Sequence, residues 1–187
     1  MESINSAILK DYEIKKVYGL KSGEILEITK KYLKGYSKAL SGAQESHISN
    51  SQLLQNPETL MVFLEELLQF GVYEKLGEFV ENYLSVGTVE EFYLKVLERM
   101  DADFGFERMK DVFTYIILCG FGIAEEKLID LLKVNNIEWV AISTAILPFV
   151  SVSGGYLTMD DANMLEAASK HYDLSSVEQD RRFVMKL

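Results

Sequence analysis

Cysteine occurs once in the chain, as Cys119, so no internal disulfide can form, and the composition fits a reducing compartment. Histidine occurs twice, at His47 and His171, and neither has a second ligand three or four residues away. A zinc site needs three or four nitrogen or sulfur ligands, and the three such side chains here are dispersed. The most apolar stretch, Val112 to Ile123, is broken by Thr114, Gly120 and Gly122. It is too short for a membrane span, which takes about 20 residues. The start, Met1 to Lys16, lacks the charged-then-apolar order of a secretory leader, so a cytoplasmic location and no membrane partner are expected.

Catalytic signatures are missing as well. No glycine-rich phosphate loop, serine elbow or kinase pattern occurs. Asp101-Ala102-Asp103-Phe104-Gly105 begins like a calcium loop, but its glycine comes one position early and Val112 stands where glutamate is needed. Cys119 sits among apolar neighbours, where burial raises a thiol's pKa and makes it inert. The expectation is a protein that is not an enzyme, with no cofactor and no metal.

What remains is a chain of 187 residues, 48% apolar and 26% charged, suited to one globular domain over 1–187. With prolines only at 57 and 148, helix-period patterns fill most of it. The first covers Ile4 to Val17. The second, capped at Ser22, aligns Ile25, Ile28, Tyr32, Leu33, Tyr36 and Leu40. Gly42 to Ser51 is polar and reads as a loop. Asn56-Pro57-Glu58 opens a helix carrying Leu60, Phe63, Leu64, Leu67 and Leu68, and the next carries Leu76, Phe79, Val80, Tyr83 and Leu84. Thr88 to Glu91 is a capping box ahead of Phe92, Val96, Leu97 and Met100. Further helices are expected over 106–118, 123–132 and 137–147, after Thr158 to Asp161, and after a second capping box at Ser175 to Glu178.

The predicted fold is therefore all-α, a compact bundle of about nine or ten short helices. Val150 to Thr158 alternates around Gly154-Gly155 and reads either as a small β-hairpin or as a glycine-rich connection between helices. Phe-Gly pairs at 70–71 and 121–122 head two similar stretches, so HEAT-like stacked hairpins are the alternative arrangement.

The net charge of -10 disfavours direct nucleic-acid binding, which needs clustered cations, and suits a basic protein partner. The charge is uneven: residues 1–40 hold 8 lysines against 5 acids, whereas residues 41–110 hold 13 acids against 5 bases. In the central block Glu65, Glu66, Glu74, Glu78, Glu81, Glu90, Glu91, Glu98, Asp101, Asp103 and Glu107 fall on polar faces or ends of successive helices. If those helices stack, these acids form one negative wall, with the aromatic groups of Tyr73, Tyr83, Tyr93 and Phe104 as exposed anchors. The ordinary alternative is a solvated outer face.

In size, acidity and short capped helices, the Glu65–Glu107 region is similar to the helical immunity proteins of bacterial toxin systems, including contact-dependent inhibition. The resemblance implies an inhibitor whose carboxylates mimic substrate phosphates in the cleft of a basic toxin, of the nuclease class. The rival expectation is a helical adaptor or scaffold that holds a peptide or a subunit.

Overall fold

The computed structural model describes residues 18–174, so the helices expected at Ile4 to Val17 and after Ser175 lie outside the described residues. Nine helices and three short strands follow in order. α1 (Ser22–Lys34), α2 (Gly42–Ser49), α3 (Pro57–Gln69), α4 (Leu76–Leu84), α5 (Val89–Phe104) and α6 (Phe106–Leu118) form an all-helical half. β1 (Ile123–Ala124), α7 (Glu125–Leu132), α8 (Asn136–Ile146), β2 (Val150–Ser153), β3 (Tyr156–Met159) and α9 (Ala162–His171) complete the described chain.

Local chemistry explains most helix starts. The side chain of Asn56 accepts from the backbone N–H of Glu58 and Thr59, and Pro57 supplies the first turn of α3. Thr88 and Glu91 satisfy one another's backbone groups at the start of α5. Asn135 and Glu138 do the same for α8.

Five boundaries differ from the sequence expectation. α1 ends at Lys34, short of Tyr36 and Leu40, and Ser37 beyond it takes a left-handed backbone (φ +56°). Gly42 to Ser49 is helical, not a loop. Ser41 and Gln44 cap it, and its one buried side chain, Ile48, leaves no apolar period to read. α1 is preceded by Lys21, not capped by Ser22, and Glu24 reaches back to the Lys21 N–H at 2.7 Å. Ile123 belongs to a strand, so the following helix starts two residues later. Thr158 and Met159 pair in β3, and α9 is capped by Asp161 through the N–H groups of Asn163 and Met164.

Of the two readings of Val150 to Thr158, the hairpin forms, with Val150 opposite Met159 and Ser153 opposite Tyr156. Gly154 and Gly155 turn it at φ +60° and +82°, the doubly positive geometry of a type I′ turn. β1 adds to its open side, with Ile123 opposite Leu157, to give a three-stranded antiparallel sheet of order β1-β3-β2.

One continuous core runs through the described residues, from Ile25 on α1 to Met164 on α9 and Leu174 beyond it. α5 lies at its centre, flanked by α4, α6 and α9. Its contact with α9 joins segments far apart in sequence, closing the array on itself, whereas a solenoid repeat touches only its neighbours. The arrangement is that of a bundle. The two Phe-Gly stretches diverge accordingly: a 3₁₀ turn and α4 follow the first, a strand and α7 the second.

The second half has a connectivity of its own. α6, β1, the pair α7–α8 and the hairpin β2–β3 follow one another, and α7 joins α8 through three residues that begin with Lys133 in the left-handed conformation (φ +52°). Helix, strand, helix–turn–helix and two-stranded wing, with the first strand beside the last, make the order of a winged helix–turn–helix.

Candidate functional site

The central acids separate into three groups once the chain folds. The first holds the protein together. Glu66 is only 1% exposed, and its carboxylate accepts from Arg99 Nε (2.6 Å), Arg99 Nη2 (2.8 Å) and the Tyr83 hydroxyl (2.7 Å). Arg99 also donates to Asp103 at 2.8 Å. Burial works against the charge on Arg99, but the Glu66 carboxylate more than offsets it and the guanidinium pKa rises. Glu65 accepts from the Tyr32 hydroxyl of α1. Asp101 accepts from the Tyr172 hydroxyl (2.7 Å) and lies 2.6 Å from His171 Nε2.

A second group serves helix ends and surface pairs. Glu91 belongs to the α5 cap. Glu90 pairs with Lys170, which also meets Glu166; the two carboxylates push the lysine pKa up to about 12. Exposed pairs of this kind contribute little stability. The third group, Glu74, Glu78 and Glu81 on the α3–α4 connection and α4, with Glu98 on α5 and Glu107 on α6, is exposed, with no ion pair among the described residues.

The aromatic anchors need correction. Tyr83 and Tyr93 are buried, because α4 and α5 turn these rings inward against Phe63, Phe79, Phe92 and Phe149. Each phenol meets a carboxylate, Tyr83 with Glu66 and Tyr93 with Asp161, and burial together with that carboxylate raises its pKa. Phe104 is half-buried against the core, and the side chain of Tyr73 lies outside the described residues.

A different surface stands out. α8 is apolar on both sides. Trp139, Ile142, Ala145 and Ile146 face the core, and the Trp139 indole N–H donates to Glu125 at 2.6 Å. On the opposite side Ile137 (85% exposed), Val140 (62%), Ala141, Thr144 and Leu147 (59%) recur at helical spacing and meet solvent. A helix apolar all round is ordinarily buried all round. The signal was legible in Ile137 to Leu147, whose only charged residue is Glu138, but a search for one apolar stripe does not count the second.

In a helix–turn–helix that reads DNA, the second helix enters the major groove and basic side chains grip the phosphates. α8 carries no lysine or arginine, nor does the wing from Val150 to Met159. Its outer face offers methyl groups. No cluster of three or more histidine, cysteine, aspartate or glutamate side chains able to hold a metal ion occurs among the described residues, and no described helix is long and apolar enough to cross a membrane. Cys119 is half-buried, and burial raises its thiol pKa, contrary to what a nucleophile needs.

No protein-family model matches the chain, and no solved structure matches it. Among curated proteins it is similar to a TPR repeat-containing protein of Dictyostelium discoideum, at 28% identity over 147 residues. The match covers 75% of this chain and 9% of that relative, so the chain spans less than a tenth of the longer protein's length. α3, α5 and α7 begin at residues 57, 89 and 125, close to the roughly 34-residue interval of tetratricopeptide helix pairs. The Trp-x₂-Leu-Gly-x₂-Tyr pattern of those repeats is absent from the sequence, and the third pair sits in a winged arrangement instead.

Proposed function

We infer that this chain is a helical scaffold that binds a protein partner through the outer face of α8. One observation carries this reading: Ile137, Val140 and Leu147 line up on the exposed side of a helix whose other side is already packed. Covering that row removes apolar surface from water at roughly 25 cal/mol per Å², the main source of affinity in protein association. The absence of cations from α8 and the wing turns the reading away from nucleic acid and toward protein. The likeness to a repeat-containing helical protein agrees with it.

The toxin-inhibitor alternative leans on the acidic wall. Much of that wall has internal work, which leaves Glu74, Glu78, Glu81, Glu98 and Glu107 exposed and without an ion pair among the described residues. The scaffold reading therefore has more of the molecule behind it.

The test places a photo-crosslinking amino acid at position 140 in the full chain, in its native cell, with position 126 on α7 as a polar control. Adducts with one discrete protein are expected from position 140, and they should vanish when Ile137→Asp is added. Labelling no stronger than at position 126 rejects α8 as the docking face. A discrete adduct that survives Ile137→Asp but is lost on Glu78→Lys with Glu81→Lys moves the contact to the acidic strip.

A further inference from the structure

Against a net charge of -10, residues 18–40 carry five lysines and two glutamates. The fold puts three of those lysines around a cavity. A cleft of about 520 Å³ opens between the C-terminal half of α1, the segment after it and α2. Lys30, Lys34 and Lys38 line it, together with Leu33, Ala39 and Leu40. Across the 33–40 segment a second hollow of about 290 Å³ is walled by Leu33, Leu40, Leu67, Phe70 and Leu76.

The polar groups of this cleft are unequally occupied. Lys30 pairs with Glu45 at 2.9 Å, so those two charges offset each other. The Lys38 amine donates to the backbone oxygens of Leu68 (2.7 Å), Leu67 (3.4 Å) and Phe70 (3.4 Å), at the end of α3. Those contacts occupy its three N–H donors and fix its position, so it acts on the cleft only as a nearby positive charge, partly offset by the end of α3. Lys34 makes no ion pair among the described residues. Thr29 is also among the lining residues; it is 0% exposed, and its hydroxyl oxygen has no hydrogen-bond partner among the described residues. A buried hydroxyl without a partner is unfavourable, so it is a donor in want of an acceptor.

We propose that this cleft is a binding site for a small amphipathic organic anion, an apolar body ending in a carboxylate. The hydroxyl of Thr29 and the ammonium group of Lys34 take the oxygens, the fixed charge of Lys38 stands beside them, and the leucine-lined walls take the apolar body. The volume falls within the roughly 300–1,000 Å³ of small-ligand sites, whose linings are likewise mostly apolar with a few converging polar groups. The site is separate from α8 and stands or falls without it.

Octanoate is a suitable probe, titrated into the full chain by calorimetry at low salt beside acetate and octanol. Saturable one-to-one binding is expected for octanoate, at least about tenfold tighter than for either control, since both head and body are needed. Lys34→Gln should weaken it several-fold. Thr29→Val, which keeps the shape and removes the donor, should weaken it without lowering the unfolding midpoint. Glu45→Gln should tighten it, because a competing carboxylate is lost. Octanol binding as well as octanoate, affinity unchanged in Lys34→Gln and Thr29→Val, or no saturable binding at all would each overturn the assignment. Val140→Asp on α8 serves as the folded control and should leave octanoate binding unchanged.

Discussion

Arg99 on α5 holds Glu66 on α3 through two guanidinium nitrogens, at 2.6 and 2.8 Å, across 33 residues of sequence. The carboxylate is almost fully buried, and Tyr83 on α4 closes its remaining side. Three successive helices therefore meet on one charge. Removing only the cation strands that charge in the core. Arg99→Met should destabilise the chain by about 3–5 kcal/mol in urea unfolding at neutral pH. Adding Glu66→Leu should recover most of the loss, since two apolar groups of similar bulk replace the ion pair. A single variant within about 1 kcal/mol of the parent would show that the pair does not secure these helices.

Four phenols give the protein an alkaline limit. Tyr32, Tyr83, Tyr93 and Tyr172 each meet a carboxylate, and burial together with that carboxylate raises their folded-state pKa above the model-compound value of 10.0. With the folded pKa above the unfolded one, the unfolded chain loses its protons first as pH rises. Stability is thus fully present below about pH 10 and falls above it. Absorbance at 295 nm should show at least four tyrosines that ionise only as the far-ultraviolet helix signal is lost. Complete ionisation of a still-helical protein contradicts the assignment.

Asp101 fastens the end of α9 to α5 by accepting from Tyr172 and contacting His171, at 2.7 and 2.6 Å. Phe106 packs against both rings. Asp101→Ala leaves the buried Tyr172 hydroxyl without its acceptor and should cost about 1–3 kcal/mol. Hydrogen exchange should speed up first in α9, ahead of α3. Uniform acceleration across all helices would mean that the contact is not a local fastening.

The two sides of α8 should respond differently to substitution. Ile142→Ala, on the core side, should cost about 2–5 kcal/mol through the cavity it leaves. Val140→Asp, three-fifths exposed, should stay within about 0.5 kcal/mol. Denaturant midpoints of the purified chain decide the matter. A large loss for Val140→Asp would place that face in the protein's own packing.

The sequence by itself determined the local structure wherever one residue and its near neighbours carry the chemistry. Asn56-Pro57, Thr88 to Glu91 and Gly154-Gly155 start two helices and turn a hairpin as their side chains and φ preferences require. Local patterning could not find α2, which is held by one buried isoleucine and a cap, or β1, whose two residues become a strand only beside β3. The acids show the same division. Their number along the chain was plain, but a glutamate is solvated or gripped according to what another helix brings to it, and Arg99, Tyr32, Tyr172 and His171 come from elsewhere in the fold. Tyr83 and Tyr93 point inward for the same reason: a phenol is apolar enough to bury once a distant carboxylate accepts its hydrogen bond. Tertiary structure alone decided which apolar face stays open on α8 and which lysines share a cleft, because both depend on long-range packing that no short window of sequence contains.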